Sequence, residues 1–261
     1  MSRPRMLEDW QWDKIRPYLP VKVTSRKGGR PRVGDRECLE GILWLLKTGA
    51  RWRDLPDGFP SASTCWRRLV EWEEEGVLDD LWIAFLDTLD EQGTLRWNEV
   101  FLDATFFPAK KGGDHVGPTK RGKGTKLVLV ADGQGLPVAC RIASASPAEV
   151  TLARGTLDKV RQPKAKRVIP VVADRAYDSD TLRHQLRSGG WDLVCPHRRG
   201  RVRRPTQDGR KLRRYRRRWK IERTFSWLGS YRRLLVRHEY YSFVFAAFIK
   251  LACLLILLKR F

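Results

Sequence analysis

A chain of 261 residues with 42% hydrophobic content can build one large core or two ordinary ones. Its 52 Lys and Arg against 30 Asp and Glu leave a formal charge of +22, an excess that repels itself in isolation and calls for a polyanionic partner. The five cysteines are odd in number with no CxxC pair and read as small buried hydrophobes in a reducing cytosol; the four histidines lack zinc-ligand spacing; the Met-Ser-Arg-Pro-Arg start carries no signal peptide.

The charge is segregated along the chain. Residues 198 to 237 hold 17 Lys or Arg and two acids, Asp208 and Glu222, whereas residues 71 to 92 hold nine acids and no Lys or Arg. Such separation is expected when one surface faces phosphates.

Residues 7 to 19 alternate apolar and charged positions and stop at Pro20, which predicts a first short helix. A Gly-rich basic loop follows, Lys22 to Arg36. Its Gly29-Arg30-Pro31-Arg32 core can lie extended in a narrow minor groove and place Arg30 and Arg32 in negative potential; a solvated basic loop is the alternative. Residues 35 to 48 show helical spacing of leucines and isoleucine, with Gly49 where a helix would end. Ser61 or Ser63 can cap the next helix, Thr64 to Glu75, which is expected to expose Arg67 and Arg68. An acidic helix runs from about Leu78 to Gln92 and is expected to face away from DNA or to meet another protein surface. Several short helices with basic turns resemble a helix-turn-helix module, a plain helical bundle being the alternative.

After Arg96 the pattern changes. Glu99–Thr105, Lys126–Ala131, Pro137–Ala145, Val168–Ala173 and Trp191–Cys195 read as five strands. Residues 108 to 125 read as a Gly/Lys-rich loop, and Asp132-Gly133-Gln134-Gly135 as a hairpin turn. Helices are predicted from Pro147 to about Val160 and from a cap at Ser179 or Asp180 to about Arg187. Tyr215 to Arg233 reads as one helix with Tyr215, Arg218, Glu222 and Gly229 within about a 60° arc. Phe243 to Leu258 is apolar, short for a membrane span and interrupted by Lys250, so it reads as a core helix. Hairpin-joined strands followed by alternating helix and strand predict an α/β fold: a mixed five-stranded sheet with helices on both faces, behind an all-α N-terminal domain. The boundary falls at 96/97.

Three acids stand out. Asp103 sits inside an apolar strand, Asp174 ends another, and Glu222 lies on the late basic helix. An unpaired buried carboxylate is costly, and strand ends are where open sheets build sites. Carboxylates from three elements can converge on divalent ions, and oxygen ligands suit Mg²⁺ or Mn²⁺. Two ions could clamp the attacking and leaving oxygens of an in-line phosphoryl displacement. Each acid has a plainer use. Asp103 can bond backbone or Thr105, Asp174 can cap Arg175-Ala176-Tyr177, and Glu222 can be a salt-bridged surface acid. Asp178 reads as a local cap and Asp132 as a turn residue. Arg218 and Arg223 can hold DNA phosphates or screen Glu222.

Together these segments resemble a bacterial DDE transposase of the insertion-sequence-five (IS5) family. The matching stretches are Phe101-Leu102-Asp103-Ala104-Thr105, Ala173-Asp174-Arg175-Ala176-Tyr177-Asp178-Ser179, and Tyr215 through Phe225 with Tyr215, Arg218 and Glu222 in the family's Tyr, Arg and Glu places. Lys123-Gly124-Thr125-Lys126 and Gly49 through Pro56 also look like family segments. The resemblance implies an RNase H-like fold and Asp103, Asp174 and Glu222 as a triad holding Mg²⁺ or Mn²⁺; the gap from Asp174 to Glu222 is too short for the large insertion domain of some relatives. It implies double-stranded DNA as partner, both inverted-repeat ends and target, a dimer or higher assembly, and a cytoplasmic, nucleoid-associated location. Lys123, Lys126, Tyr215, Arg218, Arg223, Arg232 and Arg233 join Arg30, Arg32, Arg67 and Arg68 as candidate DNA contacts. The wider signature has a lysine seven places after the glutamate; this chain has Gly229, with Arg232 or Arg233 as substitutes. A metal-dependent nuclease or junction resolvase of the same fold, and a non-catalytic DNA-binding descendant, are the rivals.

Overall fold

The structure, a computed structural model, describes residues 4–21, 31–163 and 168–261. Four helices come first: α1 (Asp9–Ile15), α2 (Asp35–Thr48), α3 (Ala62–Glu74) and α4 (Val77–Glu91). The leucine spacing of α2 turns Leu39, Ile42, Leu43 and Leu46 into the core, and the helix stops at Gly49, whose N–H bonds the Leu45 carbonyl. Ser61 caps α3 by accepting from the Thr64 N–H at 3.3 Å.

Among the described residues the sheet has six strands: β1 (Val100–Pro108), β2 (Gly117–Thr119), β3 (Gly122–Ala131), β4 (Pro137–Ser144), β5 (Ile169–Ala173) and β6 (Trp191–Val194). Their order is β2-β3-β1-β5-β6, with β4 also on β3. The pairs β1/β3, β2/β3 and β3/β4 are antiparallel, and β1/β5 and β5/β6 are parallel. The remaining helices are α5 (Glu149–Leu157), α6 (Asp180–Ser188), α7 (Gly209–Leu212), α8 (Trp219–Gly229) and α9 (Ser242–Leu258).

Helices cover both faces. Residues paired across antiparallel strands share a face. Lys220 of α8 lies over the Phe101 ring and Phe245 of α9 meets Phe107 edge-on, so α8 and α9 cover the face bearing Phe101, Asp103 and Phe107. Ala104, Val128 and Arg141 are paired on the opposite face, where Arg141 lies against Gly155 of α5. The apolar α9 also packs on α2, α3 and α4, so the first helices and the sheet share one continuous core. Lys250, the single charge in α9, bonds Glu73 at 2.7 Å and Asp79 at 2.6 Å. Among the described residues no helix is long and apolar enough to cross a membrane.

Two elements differ from the sequence expectation. The predicted loop 108–125 contains β2 and the first residues of β3, making six strands rather than five. Glycine and lysine carry little β-propensity, so no pattern marks these residues. Their pairing is tertiary: at Gly124 any side chain would collide with the Phe107 carbonyl and the Phe106 ring. The single helix predicted over Tyr215–Arg233 is instead a 3₁₀ turn at Arg213–Arg217, α8, and a second 3₁₀ turn at Arg232–Leu234. The first turn has a clear cause. Three residues per turn place Arg214 and Arg217 on one side, where both reach the fully buried Glu99.

Candidate active site

The parallel register pairs Phe101 with Val172 and Leu102 with Ala173. One step further along, Asp103 and Asp174 are neighbours across strands about 4.8 Å apart, at the carboxyl end of β5. Asp103 is nearly buried, at 9% exposure; its Oδ1 accepts from the Ala104 N–H at 2.9 Å and its Oδ2 from Arg218 at 2.5 Å. Burial pushes its carboxyl above the ordinary value, against the pull of Arg218 and the Ala104 N–H, and Asp174 adds to the rise. Asp174 also caps the turn Arg175–Tyr177, accepting from the Ala176 N–H at 2.8 Å.

Glu222 lies in the first turn of α8, with its side chain 58% exposed. Its Oε1 pairs with Arg218 at 3.0 Å. Arg218 therefore stands between Asp103 and Glu222, one guanidinium holding both carboxylates. Among the described residues no three His, Cys, Asp or Glu side chains converge closely enough to hold a metal ion. Asp103 and Asp174 are brought together, and Glu222 is linked to them through the arginine.

The helix is fixed to the β3–β4 turn. Lys220 donates to the Gly133 carbonyl at 2.5 Å, Thr224 to that of Gly135 at 2.6 Å, and Arg223 to that of Gln134. Asp132 holds that turn, taking the backbone N–H groups of Arg96, Gln134 and Leu136. Just before the helix, Glu99 anchors the 3₁₀ turn that presents Tyr215 and Arg218. A helix whose entry and first turns are held in this way is the kind of rigid support a site requires.

The candidate DNA contacts divide by burial. Arg67, Lys123 and Arg232 are exposed, and Tyr215 is half-buried against the core. Arg223 is sandwiched between the rings of Trp219 and Trp227, at 4.9 and 4.7 Å. Arg32 bonds Glu71 at 3.0 Å, and Lys126 donates to the Pro147 carbonyl at 2.7 Å. Arg30 lies outside the described residues. Three expectations are corrected. Arg68 is buried rather than exposed, because its position on α3 turns it inward onto Asp35 and the Val33 carbonyl. Arg233 is buried too, clamped on Glu239 at 2.5 Å and the Ala50 carbonyl, which leaves Arg232 as the exposed cation near Gly229. Asp178 is no cap: Ser179 caps α6, while Asp178 gathers Arg183, His197 and the Arg198 N–H.

The sequence assigns no role at the site to three residues that lie near it. Glu99 reads only as the start of a strand. Glu149, in the first turn of α5, is 3.8 Å from Lys126; burial pushes its carboxyl up, with Asp103 and Asp174 contributing. Tyr177 is fully buried, and burial raises its hydroxyl well above the ordinary value, with Glu149, Asp103 and Asp174 adding to the rise. No periodicity predicts these neighbours, since each comes from a different element.

Three antiparallel strands continued by two parallel ones, with helices on both faces, define an RNase H-like fold. The chain superimposes on a piggyBac transposase in its synaptic complex with hairpin DNA with a TM-score of 0.53, at 10% identity over 96% of this chain and 71% of that one, a likeness of fold. The family model described as a transposase DDE domain matches residues 98–257, and one described as a putative transposase of the IS4/5 family matches residues 7–82. The chain belongs to the DDE transposase family. It is 38% identical to an uncharacterized 16.2 kDa protein of insertion element IS402 from Burkholderia cepacia, over 46% of this chain and 83% of that protein. It is 36% identical to a putative transposase for IS402 from the same organism, over 53% of this chain and 65% of that protein.

Proposed function

We propose that this transposase binds the inverted-repeat ends of its own element, cleaves the DNA backbone there and joins the freed 3′ hydroxyls to target DNA, with Asp103, Asp174 and Glu222 as its catalytic carboxylates. The observation that carries this reading is the side-by-side placement of Asp103 and Asp174, with Arg218 tying Asp103 to Glu222. Adjacent carboxylates repel, and a nearly buried one needs a cation. The donors are hard oxygens, which suit Mg²⁺ or Mn²⁺, and these three residues would hold two such ions. When bound, the ions supply an activated water and charge stabilisation at the attacking and leaving oxygens.

The protein's own part is positioning. Arg218 neutralises the carboxylates in the DNA-free protein and turns to a DNA phosphate when the site is loaded. Tyr215, Arg223, Lys123 and Arg232 align the backbone without reading sequence. Residues 1–96 serve chiefly in end binding and residues 97–261 in catalysis. Pairing two ends requires a homodimer or larger assembly, acting on the nucleoid in the cytoplasm.

The test is cleavage of end-bearing DNA with Mg²⁺ by Asp103→Ala and Asp103→Asn variants that melt like the parent. Cleavage is expected to vanish in both; unchanged cleavage refutes the site. Joining of pre-cut ends to a plasmid separates a transposase from a nuclease that only cuts.

A further inference from the structure

At the end of β1 remote from α7, a cleft of about 640 Å³ is lined by Arg51, Trp52, Arg53, Trp66, Tyr240 and Tyr241, among others. It lies where the loop after α2 meets the loop before α9. The five steps from Asp103 to Pro108 rise about 17 Å, so this cleft is separate from the carboxylates.

Tyr240 and Tyr241 are 55% and 49% exposed, with their rings edge-on at 5.4 Å. Exposed aromatics on a loose loop would mean little. This loop is over-determined. The fully buried Arg237 donates to the Glu239 carbonyl at 3.0 Å, the Tyr240 carbonyl at 2.8 Å, and the Asp114 carbonyl and Thr125 hydroxyl at 2.7 Å. Gly113, at φ +119°, is pressed so closely against the Tyr240 carbonyl that any side chain would collide. Buried Arg233 and Glu239 bond at 2.8 and 2.5 Å, and Arg233 also holds the Ala50 carbonyl, which fixes the opposite wall. These seven hydrogen bonds from two buried arginines thus fix the loop that carries the two exposed rings.

Around these rings stand Arg51, which also bonds Asp54 at 2.7 Å, and Arg53, with side chains 67% and 73% exposed, and the exposed Lys111. Aromatic faces ringed by cations suit unpaired nucleotides: bases stack on the rings and phosphates meet the cations. A perfect duplex hides its base faces and offers such a cleft only its backbone. The volume falls within the range of small-molecule sites, enough for one or two nucleotides.

We propose that this cleft binds unpaired DNA, one or two unstacked nucleotides lying some five base-pair steps from the carboxylates, with stacking on Tyr240 and Tyr241 and phosphates on Arg51, Arg53 and Lys111. The proposal rests on DNA being the substrate, and its test needs no cleavage.

The full chain is titrated, without metal, against a fluorescein-labelled 20-base-pair duplex and the same duplex carrying a four-nucleotide mismatched bubble, read by anisotropy. The double variant Tyr240→Ala/Tyr241→Ala is expected to weaken bubble binding about tenfold or more and to bind the duplex within about twofold of the parent. Tyr240→Phe/Tyr241→Phe is expected to retain bubble affinity, and Arg53→Ala/Lys111→Ala to lose it without any ring being removed. Equal losses on both DNAs, or none on the bubble, overturn the proposal. So does a change in sedimentation with bubble binding intact, which would make this face a protein contact. A parent that prefers the bubble but never cleaves end DNA keeps this site and sinks the catalytic reading.

Discussion

Replacing Glu99 and its two arginines separately should give a definite order of stabilities. The Glu99 side chain is wholly buried, while Arg214 and Arg217 are 35% and 43% exposed. Arg217 makes a two-pronged contact at 2.7 and 2.6 Å, and Arg214 adds one at 2.9 Å. Arg214→Met/Arg217→Met strands an uncompensated carboxylate inside the protein, which costs about 3–5 kcal/mol. Glu99→Gln strands no buried charge, since both guanidiniums can rehydrate, and loses about 1–2 kcal/mol of hydrogen bonding. At roughly 2–4 °C per kcal/mol for a chain of this size, the arginine pair should lower Tm by about 6–20 °C and Glu99→Gln by about 2–8 °C. Thermal unfolding followed by circular dichroism at pH 7 measures both. The reasoning fails if Glu99→Gln melts below the arginine double variant, or if that variant melts with the parent.

Two other outcomes follow from the same geometry. At Asp178, burial acts to raise the carboxyl, but the Arg198 N–H, His197 and Arg183 outweigh it and hold it below the ordinary value. Such a group contributes stability above an unfolded pKa of about 3.9 and loses it as pH falls through the lower native value. Asp178→Asn should therefore be less stable than the parent near neutrality and approach it below about pH 4; urea unfolding curves that stay parallel across this range would contradict the assignment. Arg218→Gln should free Asp103 and Glu222 in the DNA-free protein, tightening Mn²⁺ binding seen by electron paramagnetic resonance while end cleavage falls at least tenfold. Unchanged Mn²⁺ affinity would show that the guanidinium does not compete for the carboxylates.

The acids at the candidate site were legible because each breaks a local pattern. Asp103 interrupts an apolar strand, Asp174 ends one, and Glu222 stands alone among arginines. What could not be read was how Arg218 divides them. Its double contact depends on the 3₁₀ turn that Glu99 imposes from 115 and 118 residues away in sequence. The sequence hides which arginines are buried for a related reason. Arg68 and Arg233 sit in charged stretches that look solvated, yet Asp35 and Glu239 draw them inward.

Periodicity, helix caps and composition were enough to determine most of the helices, five of the strands and the basic character, and the stretches around Asp103, Asp174 and Glu222 carried the resemblance to the family. They act through neighbours a few residues apart, or through sums over the whole chain. The sixth strand, the break in the late helix, the buried ion pairs and the aromatic cleft were decided only in three dimensions. There, charges and close backbone approaches from remote segments outweigh local preference, because an unpaired buried charge costs more than any single residue's propensity.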